Sequence, residues 1–116
     1  MPYFLICHGM GGGFGGSNPD FIEKYENSDE ALDVAYNLAK EEYQSYEGYH
    51  GIRSIDDINE EDFGGEDFNA AEEVYNEGVN DWIEYDAVEV YTKDGKWFYT
   101  ETDTEVDMEG QEITVY

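Results

Sequence analysis

A glycine-rich run follows the first apolar segment of the chain and is the first candidate for ligand chemistry. Residues 8 to 19 read HGMGGGFGGSNP, with six glycines among the twelve. Gly11, Gly13 and Gly16 match the pattern G-x-G-x-x-G of loops that cradle phosphates. No Lys follows Gly16, however, and Asn18-Pro19 stands where the expected helix should begin. We therefore interpret the run as a structural or protein-contacting loop, with Phe14 at its tip as a contact residue.

The two histidines and the single cysteine are the residues that could bind a metal ion or act as a nucleophile. Cys7 and His8 are neighbours in an apolar run, so their side chains should point to opposite sides of a strand. Neither C-x-x-C nor H-x-x-x-H occurs in the sequence. We therefore predict no metal site, and interpret Cys7 as a small apolar core residue and His50 as a hydrogen-bonded corner residue.

The acidic residues suggest two further kinds of chemistry, calcium binding and acid–base catalysis. Residues 103 to 108, DTEVDM, resemble the start of an EF-hand loop, but Met108 replaces its glycine and Thr114 its last glutamate. No cluster of Lys, Arg or His accompanies the acids, as a catalytic pocket would require. We therefore expect no dedicated calcium site, no cofactor and no enzymatic activity.

The formal net charge of −25 is the dominant property of the sequence, because 30 acidic residues face only five basic ones. A magnitude of about 2 to 8 is enough to keep a small domain soluble. A hydrophobic content of 40% is too high for a disordered acidic tail. Such a field repels nucleic acid and anionic membranes and attracts basic protein surfaces. A solvated acidic face and adaptation to a salty cytoplasm are the simpler alternatives.

Length and cysteine usage bound the class of protein. We expect a single domain over residues 1–116, since this length supports one modest core. One cysteine excludes an internal disulfide. The apolar run Tyr3 to Cys7 is too short for a signal peptide and is not preceded by basic residues. No stretch is long enough for a membrane helix. We therefore expect a cytoplasmic protein, monomeric or homodimeric, with no membrane partner.

The elements that position the acids are dominated by one long amphipathic helix, predicted over residues 27–46. Asn27, or alternatively Ser28, should cap its start, and Gly48 should follow its end at the C′ position. Glu41 and Glu42 lie near the negative end of this helix, where fold stability does not explain them. Its apolar stripe consists of Leu32, Tyr36, Ala39, Tyr43 and Tyr46.

The remaining periodicities predict shorter elements. Tyr3 to Cys7 should form an inner strand, whereas residues 8–19 contain too many glycines for a regular element. Ser54 should cap a short helix, and a third helix should run from Glu66 to about Val79. Asp94-Gly95 predicts a hairpin that pairs Thr92 with Trp97, Val90 with Tyr99 and Val88 with Glu101. Glu109-Gly110 predicts a further turn before a last strand over residues 112–116.

These elements define the expected fold class as α+β. We expect a small antiparallel sheet, made of the N-terminal strand and a C-terminal β-meander, with two main helices packed on one face.

Two stretches of the sequence resemble a known family. A short strand followed by GGGFGG, and a helix that ends in EEYQSYEGYHGIRSIDDI, resemble small uncharacterised acidic proteins of tailed phages. The resemblance covers about the first 60 residues and implies no established activity. In charge and size, the chain is also similar to phage proteins that mimic DNA and inhibit host defence nucleases, a likeness of composition that transfers no residue.

The leading hypothesis is a non-enzymatic, phage-encoded acidic protein that inhibits a host nucleic-acid-binding protein, such as a defence protein, by DNA mimicry. It would bind the basic surface of that protein and not nucleic acid itself. Its carboxylates would form a row similar to that of duplex DNA. The predicted partner-binding residues, with Phe14, are Asp29, Asp33, Glu41, Glu42, Glu47, Asp56, Asp57, Glu60, Glu61, Asp62, Glu66, Asp67, Glu72, Glu73 and Glu77.

Two alternatives belong to other classes. The first is a binder of a nucleotide or metabolite that uses the glycine loop and the corner between the helices. Its residues would be Gly11, Gly12, Gly13, Gly15, Gly16, Tyr49, His50 and Arg53. The second is a structural or assembly protein of a virion.

Overall fold

The computed structural model describes residues 1–11, 15–49, 51–108 and 112–116, which form three helices and five strands. Phe14, Gly12, Gly13, His50 and the Glu109-Gly110 turn therefore lie outside the described residues. In chain order the elements are β1 (Tyr3–Met10), β2 (Gly16–Lys24), α1 (Ser28–Ser45), α2 (Ile55–Phe63), α3 (Phe68–Trp82), β3 (Ile83–Lys93), β4 (Lys96–Tyr99) and β5 (Thr114–Val115).

The first strand lies at the centre of a five-stranded sheet with the order β4-β3-β1-β2-β5. Phe4 and Ile6 are buried on the face that α1 covers, and Leu5 is buried on the opposite face. The prediction of an inner strand is therefore confirmed. All pairings are antiparallel except that of β5 with β2, and the α+β fold class is confirmed.

The glycine-rich run is more regular than predicted, because β1 continues to Met10 and β2 already begins at Gly16. The expectation that residues 8–19 contain no regular element is wrong. Gly9 shows why the pairing is possible: a Cβ atom at Gly9 would lie 2.1 Å from the carbonyl oxygen of Gly16. Only glycine permits this backbone approach, so here the glycines allow strands to pair.

The long helix α1 packs on the sheet through small residues. Ala31 and Ala35 pack against Phe4 and Ile6, and their short side chains allow the helix to lie close to the strand. Asn27 is the N-cap, and its side chain accepts a hydrogen bond from the backbone nitrogen of Glu30 at 2.9 Å, as predicted.

The C-terminal end of α1 differs from the prediction. The C-cap of α1 is Tyr46, so the C′ position predicted for Gly48 falls to Glu47, and Gly48 lies one residue beyond it, with a φ of +86°. Its backbone nitrogen donates to the carbonyl of Ile52 at 2.8 Å. The glycine therefore shapes the turn that follows the helix.

The other two helices extend the molecule beyond one end of the sheet. The predicted Ser54 cap of α2 is confirmed by a 3.2 Å hydrogen bond from the backbone nitrogen of Asp57. Helix α3 begins two residues later than predicted, with Asp67 as its N-cap, and leads directly into β3 at Ile83. Helices α2 and α3 pack against the C-terminal half of α1 around Tyr43, and α1 alone lies along the sheet.

The second face of the sheet is covered by the C-terminal segment and not by helices. The hairpin pairs Val90 with Tyr99 as predicted, but the chain turns away at Thr100, so the predicted pairing of Val88 with Glu101 does not form. Val106 then packs against the strands on this face of the sheet. The last strand crosses to the other edge and pairs with β2, so the predicted meander ends after β4.

Candidate functional site

The helices beyond the sheet make the molecule elongated. Its principal extents are 60 × 29 × 22 Å, and its radius of gyration is 17.4 Å. A compact domain of this length has a radius of gyration of about 13 Å. The surface therefore presents one long axis, along which charge can be arranged.

One end of that axis is formed by a segment that we call the helical lobe (residues 54–82). The lobe contains eleven acidic residues and neither Lys nor Arg. Lys24 lies at one end of the sheet, where it pairs with Tyr3, and Lys93 and Lys96 flank the β3–β4 turn at the same end. The lobe joins the sheet at the opposite end, where β3 begins at Ile83. The lobe is therefore uniformly acidic, whereas the rest of the chain carries the other 19 acidic residues and all five basic ones.

The predicted partner-binding carboxylates of the lobe are all exposed. Asp29, Asp33 and Glu41 on α1 are exposed as well. The exposed predicted residues of the lobe are Asp56, Asp57, Glu60, Glu61, Asp62, Glu66, Asp67, Glu72, Glu73 and Glu77. These side chains are therefore accessible to a partner that approaches the lobe or α1.

One basic side chain lies at the border of the lobe and is paired within the chain. The Nη1 atom of Arg53 donates to Glu61 at 3.0 Å and to Asp62 at 3.1 Å, and Nη2 donates to the second oxygen of Asp62 at 3.2 Å. The hydrogen bonds to Asp62 and Glu61 raise the pKa of Arg53 above its usual value. This forked contact fixes the corner between α1 and α2.

Glu42 has a structural partner that the sequence analysis did not foresee. It is half-buried and contacts Nδ1 of His8, while Nε2 of His8 lies 2.7 Å from Asp20. The imidazole ring thus contacts one carboxylate through each of its two nitrogens. The interpretation that fold stability does not explain Glu42 is corrected, because this contact joins α1 to β1 and β2.

Glu47 is also half-buried and joins two helices. Its Oε1 atom accepts a hydrogen bond of 2.6 Å from the hydroxyl of Tyr75 on α3. Burial and this hydrogen bond raise the pKa of Tyr75. The rings of Tyr75 and Tyr43 meet edge to face, with their centroids 5.5 Å apart. Glu42 thus joins α1 to the sheet, and Glu47 joins α1 to α3. These contacts hold the helices that carry the exposed carboxylates.

The alternative ligand loop has an acidic neighbour. Gly15 and Gly16 line an open cavity together with Glu84 and Asp86, and a Cβ at Gly16 would lie 2.5 Å from a carboxylate oxygen of Glu84. Carboxylates at this position oppose a phosphate group. Neither Tyr49, which is exposed, nor Arg53 lines this cavity, so the structure does not bring the corner and the described glycines into one pocket.

The residues considered for metal and nucleophile chemistry are separated in the structure. Cys7 packs on the face of the sheet opposite to His8, and burial, followed by the charge of Asp86, raises the pKa of its thiol to about 11. Within the part of the chain that the structure describes, no group of three or more His, Cys, Asp or Glu side chains could hold a metal ion. The two ring nitrogens of His8 face different carboxylates, so these donors do not converge.

Sequence reasoning missed two features of the site. The contact between His8 and Glu42 could have been suspected, since a glutamate near the negative end of a helix needs a cationic neighbour. Phe68, which begins α3 and is 52% exposed, carries no sequence signal of exposure, because its spacing places it in one apolar stripe with the buried Ala71 and Tyr75.

Comparisons of the chain with protein-family models, with curated proteins and with solved structures found no match. The resemblance to tailed-phage proteins therefore stays a prediction. Among the helices of the described residues, none is long and apolar enough to cross a membrane.

Proposed function

We propose that the protein binds the basic nucleic-acid-binding surface of a partner protein and competes there with nucleic acid. The observation that carries this proposal is the linear density of charge. A net charge of −25 along a 60 Å axis gives one negative charge per about 2.4 Å. Duplex DNA carries one per about 1.7 Å. The protein is thus similar to a duplex segment in both length and charge.

The helical lobe is the proposed contact surface. It carries exposed carboxylates on both α2 and α3 and no basic residue, whereas all five basic residues lie in the rest of the chain. Many charges spread over one face accelerate association and make it sensitive to salt. A single replacement in such a surface changes little, whereas reversal of several charges changes the sign of the local field.

The experiment is a tagged pull-down from bacterial lysate, followed by elution with duplex DNA and identification of the eluted proteins by mass spectrometry. The test variant reverses three exposed acids of α3, with Glu72, Glu73 and Glu77 replaced by Lys. The control variant makes the same change of net charge away from the lobe, at Glu26, Glu89 and Glu101, which are also exposed.

The proposal predicts a nucleic-acid-binding protein that duplex DNA displaces, that the control variant retains and that the α3 variant loses. Capture of ribosomal proteins alone, or equal loss in both variants, would show that only nonspecific charge attraction operates.

A further inference from the structure

A groove in the helical lobe combines an exposed aromatic ring with carboxylates. It lies where α3 begins beside the start of α2 and the end of α1, and its volume is about 260 Å³. It is lined by Gln44, Glu47, Ser54, Ile55, Asp56, Phe68 and Tyr75. Pockets for drug-sized ligands have volumes of about 300–1,000 Å³. The groove is therefore of a size that suits one side chain better than a whole metabolite.

Phe68 provides the aromatic wall. It is 52% exposed although the neighbouring stripe of α3, with Ala71 and Tyr75, is buried. A large aromatic ring left to solvent beside a concavity is typical of a contact residue. The ring face can also attract a cation directly, through its quadrupole.

The groove contains two carboxylates, one of which is held in place. Glu47 is fixed through one oxygen by the hydroxyl of Tyr75, at 2.6 Å. Asp56 is exposed in the first turn of α2. The lining contains no Lys or Arg, and the nearby Arg53 directs its donors to Glu61 and Asp62 instead. The charge of the groove is thus complementary to a cation from another molecule.

We infer that this groove binds an arginine side chain of the basic partner. The inference rests on the proposed function and names a subsite within the proposed surface. A guanidinium group is planar, so it can stack on Phe68 and at the same time donate hydrogen bonds to Asp56 and Glu47. The compact ammonium group of lysine cannot do both equally well. A second copy of the chain is a poor source, because its only arginine, Arg53, is paired within its own chain.

The test uses the peptide acetyl-Gly-Arg-Gly-amide as a probe of the intact protein labelled with ¹⁵N, with the Lys peptide for comparison. Saturable shifts of backbone amides should be confined to the residues that line the groove. The Arg peptide should bind about two- to fivefold more tightly than the Lys peptide, which is the range of an exposed cation–π contact.

Matched variants separate the groove from general charge. Phe68→Leu and Asp56→Asn should each weaken binding of the Arg peptide by about two- to fivefold. Tyr49→Leu removes another exposed aromatic ring, and Asp57→Asn removes the next acid of the same helical turn; neither lines the groove, and both should leave binding unchanged. Shifts spread over all acidic surfaces, or equal effects of the two sets of variants, would overturn the inference.

The two proposals fail in different ways. If the Arg peptide shifts many acidic regions while duplex DNA still displaces a captured partner, the groove inference fails and the proposed function stands. If the peptide binds the groove but no partner is displaced by duplex DNA, the proposed function fails, and with it the identification of the arginine as the partner's.

Discussion

The imidazole of His8 on β1 is hydrogen bonded to the carboxylate of Glu42 on α1, 34 residues further along the chain. Its other ring nitrogen lies 2.7 Å from Asp20 on β2. One side chain thus joins the central strand, its neighbour and the helix that covers them. The side chain of His8 is only 15% exposed, which shields both contacts in part from solvent.

Replacement of His8 by Ala should destabilise the protein, because it removes the contacts of the two ring nitrogens with Glu42 and Asp20. We expect a loss of about 1–2 kcal/mol in the free energy of unfolding, reduced from the value of a buried charged hydrogen bond because both carboxylates are partly exposed. Urea denaturation of His8→Ala, Glu42→Ala and the double variant measures the coupling between the two residues. Glu41→Ala, at an exposed neighbour, is the control and should couple weakly with His8→Ala. Strict additivity of His8→Ala and Glu42→Ala would contradict this account.

The hairpin of β1 and β2 should depend on one glycine more than on its neighbour. Gly9→Ala places a Cβ atom 2.1 Å from the backbone oxygen of Gly16, so the strands must separate. We expect a loss of about 2–4 kcal/mol, or failure to fold, as for other strained substitutions in a buried site. Gly11→Ala places its Cβ at an ordinary distance of 3.5 Å from the nearest atom and should be tolerated. Similar melting temperatures for the two variants would contradict the close approach.

The hydrogen bond from Tyr75 to Glu47 should stabilise the attachment of α3 to α1. Tyr75→Phe keeps the edge-to-face contact with Tyr43 but removes the donor, and should cost about 0.5–1.5 kcal/mol in thermal or urea unfolding. Tyr49→Phe, at a ring that is 65% exposed, is the control and should have no measurable effect. Equal stability of both variants and the wild type would show that the hydroxyl contributes nothing.

The thiol of Cys7 should react slowly with alkylating reagents in the folded protein. Its pKa of about 11 lies above the ordinary value of 9.0, so at pH 8 the thiolate is roughly 100-fold scarcer than in an unfolded chain. Iodoacetamide labelling followed by mass spectrometry should show this difference, and the rate should rise with pH towards 11.

The raised pKa of Cys7 also makes the stability of the fold depend on pH. Because the folded-state pKa lies above the unfolded value, the contribution of the half-buried neutral thiol is full below about pH 9 and is lost as the pH rises towards 11. Rapid labelling of the native protein at pH 8 would contradict the burial of this thiol.

The features that the sequence predicted correctly depend on neighbouring residues. The Asn27 and Ser54 caps, the Asp94-Gly95 hairpin and the inner strand each follow from a pattern of a few consecutive residues. Such patterns act through local backbone geometry, which is independent of the rest of the fold.

The features that the sequence did not predict depend on distant pairing. The high glycine content predicts a loop, whereas the actual pairing of this run depends on how closely Gly9 and Gly16 approach each other. The prediction that the last strand continues the C-terminal meander is wrong, because its two residues carry too little pattern to choose between the two edges of the sheet. Likewise, the role of Glu42 depends on its contact with His8, which is distant in the sequence and is brought near only by the fold.

The most direct measurement of the central claim is competition with a duplex of about 18 base pairs, the length that matches the 60 Å axis of the protein. A fluorescent duplex is first bound to the captured partner, and the acidic protein is then added while anisotropy is recorded at several salt concentrations. The account predicts that anisotropy falls to the value of free duplex, and that competition weakens steeply as salt rises. Anisotropy that stays constant or increases would reveal a ternary complex, and this result would contradict the claim that the protein occupies the nucleic-acid-binding surface.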